Sequence, residues 1–463
     1  MGSLEPHRRP GRSKVVRLAH LVGARPRSRA DHWSFLFGEM AVYSLVVLLV
    51  SGAFLTFFYD PGMAQVIYQG GHTPLRGVLV SRAFASTLEV SLEVRGGLLM
   101  RQVHHWATLI LIAAVCLHLL RLFFTGAFRR PHGLNWLIWV GLFVLGIVAG
   151  VTGGILPDDL LSGGSLALIQ GVTQAIPFAG TYLTGLLFGG AVPGEQVIPL
   201  FYWLHVLLVP VIMIGLLIVR RGLLRRHGRT HYPGAAQLPP LSSPALFLAT
   251  CGVLTLLGTV AQINPIWLYG PSRPGTTGAG AVPDWYMGFL DGAIRIMPSW
   301  EPIVAGHPLT LSVLIPALVV PGGFFTVLAA YPLIERRLTG DSGVRRPLDR
   351  PREAAVRTAL GAAGMTFYGL LWAAAANDQF AYHFSSSLFA VTWFFRIAVV
   401  AGPAVVFEVT RRICLTLQAQ GREQRAHGVE TGIIRRSARG EYTEVHQAAT
   451  ALPAHGGIHA DQH

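Results

Sequence analysis

The chain has 463 residues, of which 52% are hydrophobic and 13% charged, with a formal net charge of +14. A mean hydropathy of +0.48 argues against a soluble domain. Its three cysteines, Cys116, Cys251 and Cys414, sit singly in apolar stretches, which argues against a disulfide scaffold or a Cys-X-X-Cys centre.

The first 37 residues are basic, with Arg8, Arg9, Arg12, Lys14, Arg17, Arg25, Arg27 and Arg29, and have no apolar signal-peptide core. They read as a cytoplasmic N-terminus preceding an uncleaved membrane anchor. Eight apolar runs follow, near 38–58, 98–124, 134–154, 199–222, 244–264, 308–332, 357–377 and 388–413. Each is close to the roughly 20 residues that cross a bilayer as a helix. Barrel strands would be shorter and alternating, so the expected class is an all-α integral membrane protein of eight helices. Basic residues crowd alternate loops, at Arg129 and Arg130, at Arg221, Arg225, Arg226 and Arg229, at Arg336, Arg337, Arg345 and Arg346, and at Arg411 and Arg412; the 154–198 loop has none. By the positive-inside rule both termini are cytoplasmic, and the charge marks topology rather than nucleic-acid binding. The first four helices (38–230) and the last four (231–414) form two expected lobes, followed by a cytoplasmic tail (415–463) that reads as partly disordered. No helix looks broken at mid-membrane and no inverted repeat is visible, which argues against a transporter.

Ionisable residues inside a membrane are costly and mark function. The second helix carries His104, His105 and His118. His104 and His118, 14 residues apart, share a face about 21 Å apart along the axis; His105 points about 100° away, with no partner evident. The fourth helix carries His205, at a depth matching His104, so the two can ligate one iron from opposite sides. One intramembrane histidine taken alone is more often structural; two at matched depth favour a haem. Gly38 and Gly52 on the first helix repeat the 14-residue spacing and allow close approach of a flat porphyrin.

Here the chain resembles cytochrome b of the quinol:cytochrome c oxidoreductase (bc) complex, in its actinobacterial form. The carriers are Arg101-Gln102-Val103-His104-His105-Trp106, Thr125-Gly126-Ala127-Phe128-Arg129-Arg130-Pro131, Leu156-Pro157-Asp158-Asp159-Leu160-Leu161-Ser162-Gly163, Gln262-Ile263-Asn264-Pro265-Ile266-Trp267, Pro283-Asp284-Trp285-Tyr286 and Gly428-Val429-Glu430-Thr431-Gly432-Ile433-Ile434. The resemblance implies haem b, a bacterial cell membrane, and oxidation of quinol, here menaquinol, with a Rieske iron–sulfur protein and a c-type cytochrome as partners in a homodimer. It implies that His104 and His205 ligate an outer haem and that Arg101 meets a propionate. It also implies that Asp284, with Tyr286, serves the quinol pocket as proton acceptor, its pKa tuned by partial burial. Without the resemblance, Asp284 reads as the cap of a helix starting at Trp285.

Three departures from this family's pattern stand out, two at its second, inner haem and one at the outer site. The second histidine expected on the fourth helix is absent, with Val219 and Arg220 at those positions; a guanidinium has no lone pair for iron. His227 and His231 lie too deep to substitute. On the third helix Gly153 is retained, but Trp139 stands where the inner glycine is expected. Leu200 replaces an arginine near the outer site. The expectation is an outer haem with His118 as a residual inner ligand, the inner haem lost or five-coordinate. The alternative is a divergent non-catalytic or single-haem paralogue that scaffolds or regulates a respiratory complex.

Overall fold

A computed structural model describes residues 33–447 apart from 191–193, 229, 231–242, 274, 276–282, 305, 342, 345–346 and 437–441. The basic N-terminal cluster, Arg229, His231, Arg345 and Arg346 lie outside the described residues.

The described chain is mostly helical. Six helices are long and apolar enough to cross a membrane: α1 (Leu36–Thr56), α3 (Gly97–Phe124), α4 (Gly133–Ile155), α7 (Val197–His227), α10 (Leu311–Thr339) and α13 (Leu388–His427). The fifth apolar run is the shorter helix α8 (Ser243–Val260). The seventh forms α11 (Ala355–Ala374), which at its end meets α12 (Asn377–His383) at a 66° bend. Buried Asn377 sits at the bend, its side chain 3.4 Å from Arg295 and 3.3 Å from Thr392, so neighbouring elements hold it in place. Helix α13 runs on to His427, and Val429–Arg436 then pairs antiparallel with Tyr442–Gln447, so the described part of the tail is structured.

Helices α7 and α10 each contain a π-turn, Leu204–Leu208 and Ile315–Val319, and each turn is followed by Val-Pro, Val209-Pro210 and Val320-Pro321. Proline cannot donate the i→i−4 bond and its ring crowds that carbonyl, and a widened turn upstream relieves both. The first of these turns carries His205.

Helices α1, α3, α4 and α7 pack as a bundle around Leu45, Leu111, Ile112, Trp136, Trp139 and Val209. A second core of Phe289, Ala293, Ile296, Leu371 and Phe395 joins α9 (Gly288–Ile296) to α11 and α13. On the side of the bundle that holds His104 and His205, two small elements close the surface: β1 (Gln65–Ile67) pairs antiparallel with β2 (Leu79–Ser81), and α2 (Arg82–Leu92) follows. α5 (Leu160–Gln174) lies on the same side, its N-terminus capped by Asp159, which accepts from Ser162 N at 2.8 Å.

At the opposite end Arg129 and Arg357 face Glu335 and Asp349 in a buried cluster of two cations and two carboxylates, with Arg357 3.0 Å from Glu335 and 2.6 Å from Asp349. The turn that presents Arg129 relies on Gly126 at φ +66°, against which the Arg357 guanidinium packs. Arg129, expected as a free topology charge, is therefore neutralised within the fold. Arg357→Leu leaves two carboxylates sharing one cation and is expected to cost about 3–5 kcal/mol. The measurement is thermal unfolding of the purified protein in detergent, and an unchanged Tm would refute the role.

Candidate functional site

Three side chains, docked on one segment, fix the rotation of α3. Gln102 Nε2 donates to Ile263 O at 2.9 Å and its Oε1 accepts from Ile263 N at 2.8 Å. Arg101 donates to Asn264 O at 2.6 Å, and Trp106 Nε1 to Ala261 O at 2.8 Å. The motif around residue 104 therefore docks on the Gln262-Ile263-Asn264 segment, which reaches it through Asn264 at φ +47°. The next loop is knitted in too, by Leu160 N to Gly270 O at 3.0 Å and Ser272 N to Asp158 O at 2.9 Å.

With α3 held, His104 and His205 face each other with ring centroids 6.0 Å apart. Two metal–imidazole bonds of about 2 Å, plus half the width of two rings, span about that distance. Both tautomers are set by partners. Ser51 spends its proton on Val47 O at 2.7 Å, so at 3.0 Å from His104 Nδ1 it accepts. His205 Nδ1 donates to Ala149 O at 3.0 Å, with Thr152 Oγ1 at 3.3 Å. In both rings the Nε2 lone pair is left for a metal, the arrangement that orients ligating histidines.

A Cβ on Gly153 would stand 2.5 Å from His205 Cε1, and one on Gly52 3.1 Å from His104 Cε1. They make room for the ligand rings themselves. Among the described residues no three His, Cys, Asp or Glu side chains gather as a metal centre; a porphyrin supplies four nitrogens of its own, so two histidines suffice.

Gly52, His104, Gly153 and His205 line a cavity of about 430 Å³. Arg101, Asp159, Asp284 and Tyr286 line the same cavity. The Arg101 Nη1 is buried without a hydrogen-bond partner among the described residues. An orphaned guanidinium nitrogen beside a histidine pair suits an anionic group such as a propionate. The donor set, the cleared rings and this nitrogen together fit a bis-histidine haem.

Asp284 precedes the Trp285–Met287 turn but makes no capping bond to it. Its Oδ1 is 3.2 Å from His105 Nε2 and its Oδ2 accepts from Tyr286 OH at 3.0 Å. Burial pushes the carboxyl up, but the His105 and Tyr286 hydrogen bonds and the His105 charge outweigh it, leaving Asp284 below its ordinary pKa. The expected upward tuning does not occur, because the neighbours are donors as well as cover. Burial, then the Asp284 charge, raises Tyr286, which stays a donor. Tyr286 reaches this position because Gly150 presents no side chain to its hydroxyl. His105, without a partner in the sequence, gains one from a loop 179 residues away. Asp158 is a further buried acid, bonded by Ser81 Oγ at 2.5 Å; burial is the main cause raising it to about 6.

The inner half differs. The Trp139 ring, fully buried, lies 4.3 Å from the His118 ring, and the Arg220 guanidinium sits 4.8 Å above Trp139. His118 Nδ1 has no hydrogen-bond partner among the described residues, unlike His104 and His205. Gly38 clears the His118 ring, 2.8 Å from where its Cβ would be. His118, Trp139 and Arg220 are not among the residues lining the cavity. Indole and guanidinium thus stand where an inner haem and its second ligand are expected, and these residues do not fit one.

A sequence family described as cytochrome b (N-terminal)/b6/petB matches residues 109–271. The cytochrome bc1 complex cytochrome b subunit of Streptomyces coelicolor is 45% identical over 92% of this chain and 80% of its own. That of Mycobacterium tuberculosis is 46% identical over 92% and 79%. A hyperthermophilic respiratory Complex III chain shares the fold at TM-score 0.60 and 17% identity, covering 86% of this chain and 97% of its own. With a bis-histidine cavity in its first four membrane helices and relatives this similar along most of its length, the chain belongs to the family of cytochrome bc1 complex cytochrome b subunits.

Proposed function

We propose that this protein is the membrane subunit of a quinol:cytochrome c oxidoreductase with a single haem b, oxidising menaquinol beside the outer cavity with a Rieske iron–sulfur protein and a c-type cytochrome as partners. The proposal includes eight membrane-crossing helices and cytoplasmic termini. The observation that carries it is the His104–His205 pair, 6.0 Å apart with both Nδ1 atoms engaged.

His104 and His205 would hold the iron through Nε2, and Arg101 would pair with a propionate. Haem b there would supply an acceptor for one electron, and the Rieske iron–sulfur protein would take the other. Oxidising a quinol to a quinone releases two electrons and two protons, so the cavity needs a proton acceptor as well. Asp284, held ionised, takes a proton from a quinol hydroxyl, and Tyr286 fixes the far oxygen of the same carboxylate.

The stack of His118, Trp139 and Arg220 supports one haem rather than two, because a guanidinium cannot ligate iron and an indole fills the space. Pyridine haemochrome quantitation tests this. One haem b per chain is expected in the wild type and in His118→Ala, and none in His104→Ala or His205→Ala. Two per wild-type chain would overturn the single-haem proposal, and none would leave a scaffolding subunit.

A further inference from the structure

His105 is a buried-face histidine that the haem pair does not use. Its Nε2 points at the Asp284 carboxylate from a helix whose rotation is locked by three contacts to residues 261–264. We propose that His105 is the positioning residue of the quinol-site base: its Nε2–H donates to Asp284 Oδ1 and holds the carboxylate turned into the cavity, free to receive a quinol proton. This rests on the assignment of Asp284 as proton acceptor.

Three observations carry it. The two carboxylate oxygens are bonded separately, Oδ1 by His105 at 3.2 Å and Oδ2 by Tyr286 at 3.0 Å. An ionised carboxylate has about four acceptor sites, so both bonds leave room for a quinol hydroxyl. Second, Asp284 lies just before a short turn and makes no capping bond to it, so Tyr286 two residues on is its one local anchor among the described residues and Oδ1 depends on His105. Third, His105 and Asp284 line the same cavity as the haem-ligand pair, which places the base beside the electron acceptor's site. Around the carboxylate, α3 contributes His105 and the turn itself contributes Tyr286, while Arg101 lines the wider cavity. From α11, Tyr368 reaches the Tyr286 carbonyl at 3.5 Å, and Tyr59 and Asp159 line the wider cavity.

The sign of the effect follows from the bond. A donor to the ionised form favours ionisation, and its loss raises the proton affinity of Asp284. A base must be ionised to accept, so the acid limb of turnover moves to higher pH.

The test is the pH profile of quinol:cytochrome c reductase activity in membranes holding the whole complex. His105→Leu is expected to shift the acid limb up by about one unit, with about tenfold lower kcat below it, at unchanged haem b content. His105→Gln, which restores an N–H donor, is expected to return the limb toward the wild type. If the leucine variant does not assemble, His105→Phe, equally without a donor, reads the same limb. Asp284→Asn, measured alongside, is expected to lower kcat at least about 100-fold. A normal limb in His105→Leu or His105→Phe, with Asp284→Asn inactive, would overturn the positioning role and leave the base assignment standing. An active Asp284→Asn would instead overturn the base assignment on which it depends.

Discussion

Gly153→Ala is expected to strip the outer haem, lowering haem b content about tenfold or more, while Gly154→Ala, one residue along, leaves it unchanged. The two substitutions add the same methyl to the same helix, so helix propensity cancels. They differ in what the methyl meets. At Gly153 it stands 2.5 Å from His205 Cε1 and 3.0 Å from Nδ1; at Gly154 nothing lies within 4 Å. The His205 ring has little freedom to retreat, because its Nδ1 is bonded to Ala149 O at 3.0 Å and its backbone belongs to the π-turn ahead of Pro210. Displacing it loses either that bond or the aim of Nε2, and misorienting a ligand through its outer partners typically costs 10-fold to 100-fold in affinity. Pyridine haemochrome assay of both purified variants checks the result. Equal haem in the two would refute the steric account.

The second large effect is a gain. Trp139→Gly combined with Arg220→His is expected to raise haem b from one to two per chain, since it returns a glycine and a second imidazole to the stack around His118. Trp139 alone is the obstacle by volume: its side chain is fully buried and its ring is 4.3 Å from that of His118. The single substitution Trp139→Gly is therefore expected to leave one haem and to destabilise by about 3–5 kcal/mol through the cavity it opens. Arg220→His alone is expected to leave one haem as well, because the indole still fills the space. The readouts are haem b per chain and thermal unfolding of each variant. One haem in the double variant would mean that the inner half has diverged beyond these two positions.

Much of this architecture was legible in the residue order because membrane burial leaves a strong, local signature. Runs of about 20 apolar residues locate the helices, and an imidazole within such a run stands out against its surroundings. The pairing of His104 with His205 needed only two depths to agree. The anomaly at Trp139 and Arg220 was visible only against the pattern of the family that the chain resembles. Local pattern was silent where helices break or widen: the 66° bend before Asn377 depends on Arg295 and Thr392 from other elements, and the π-turn at His205 on how the chain accommodates Pro210.

The sequence by itself determined the all-helical membrane class and the apolar runs, and pointed to histidines at one depth, because hydropathy and helical spacing are properties of contiguous residues. Only the tertiary structure decided the partners of single polar atoms. It turned His105 from a histidine without a partner into the donor that holds Asp284, fixed the tautomers of His104 and His205 through Ser51 and Ala149, and bound Arg129 into a neutral cluster. Those pairings join residues far apart in the chain, and a hydrogen bond is decided by tenths of an ångström that no periodicity encodes.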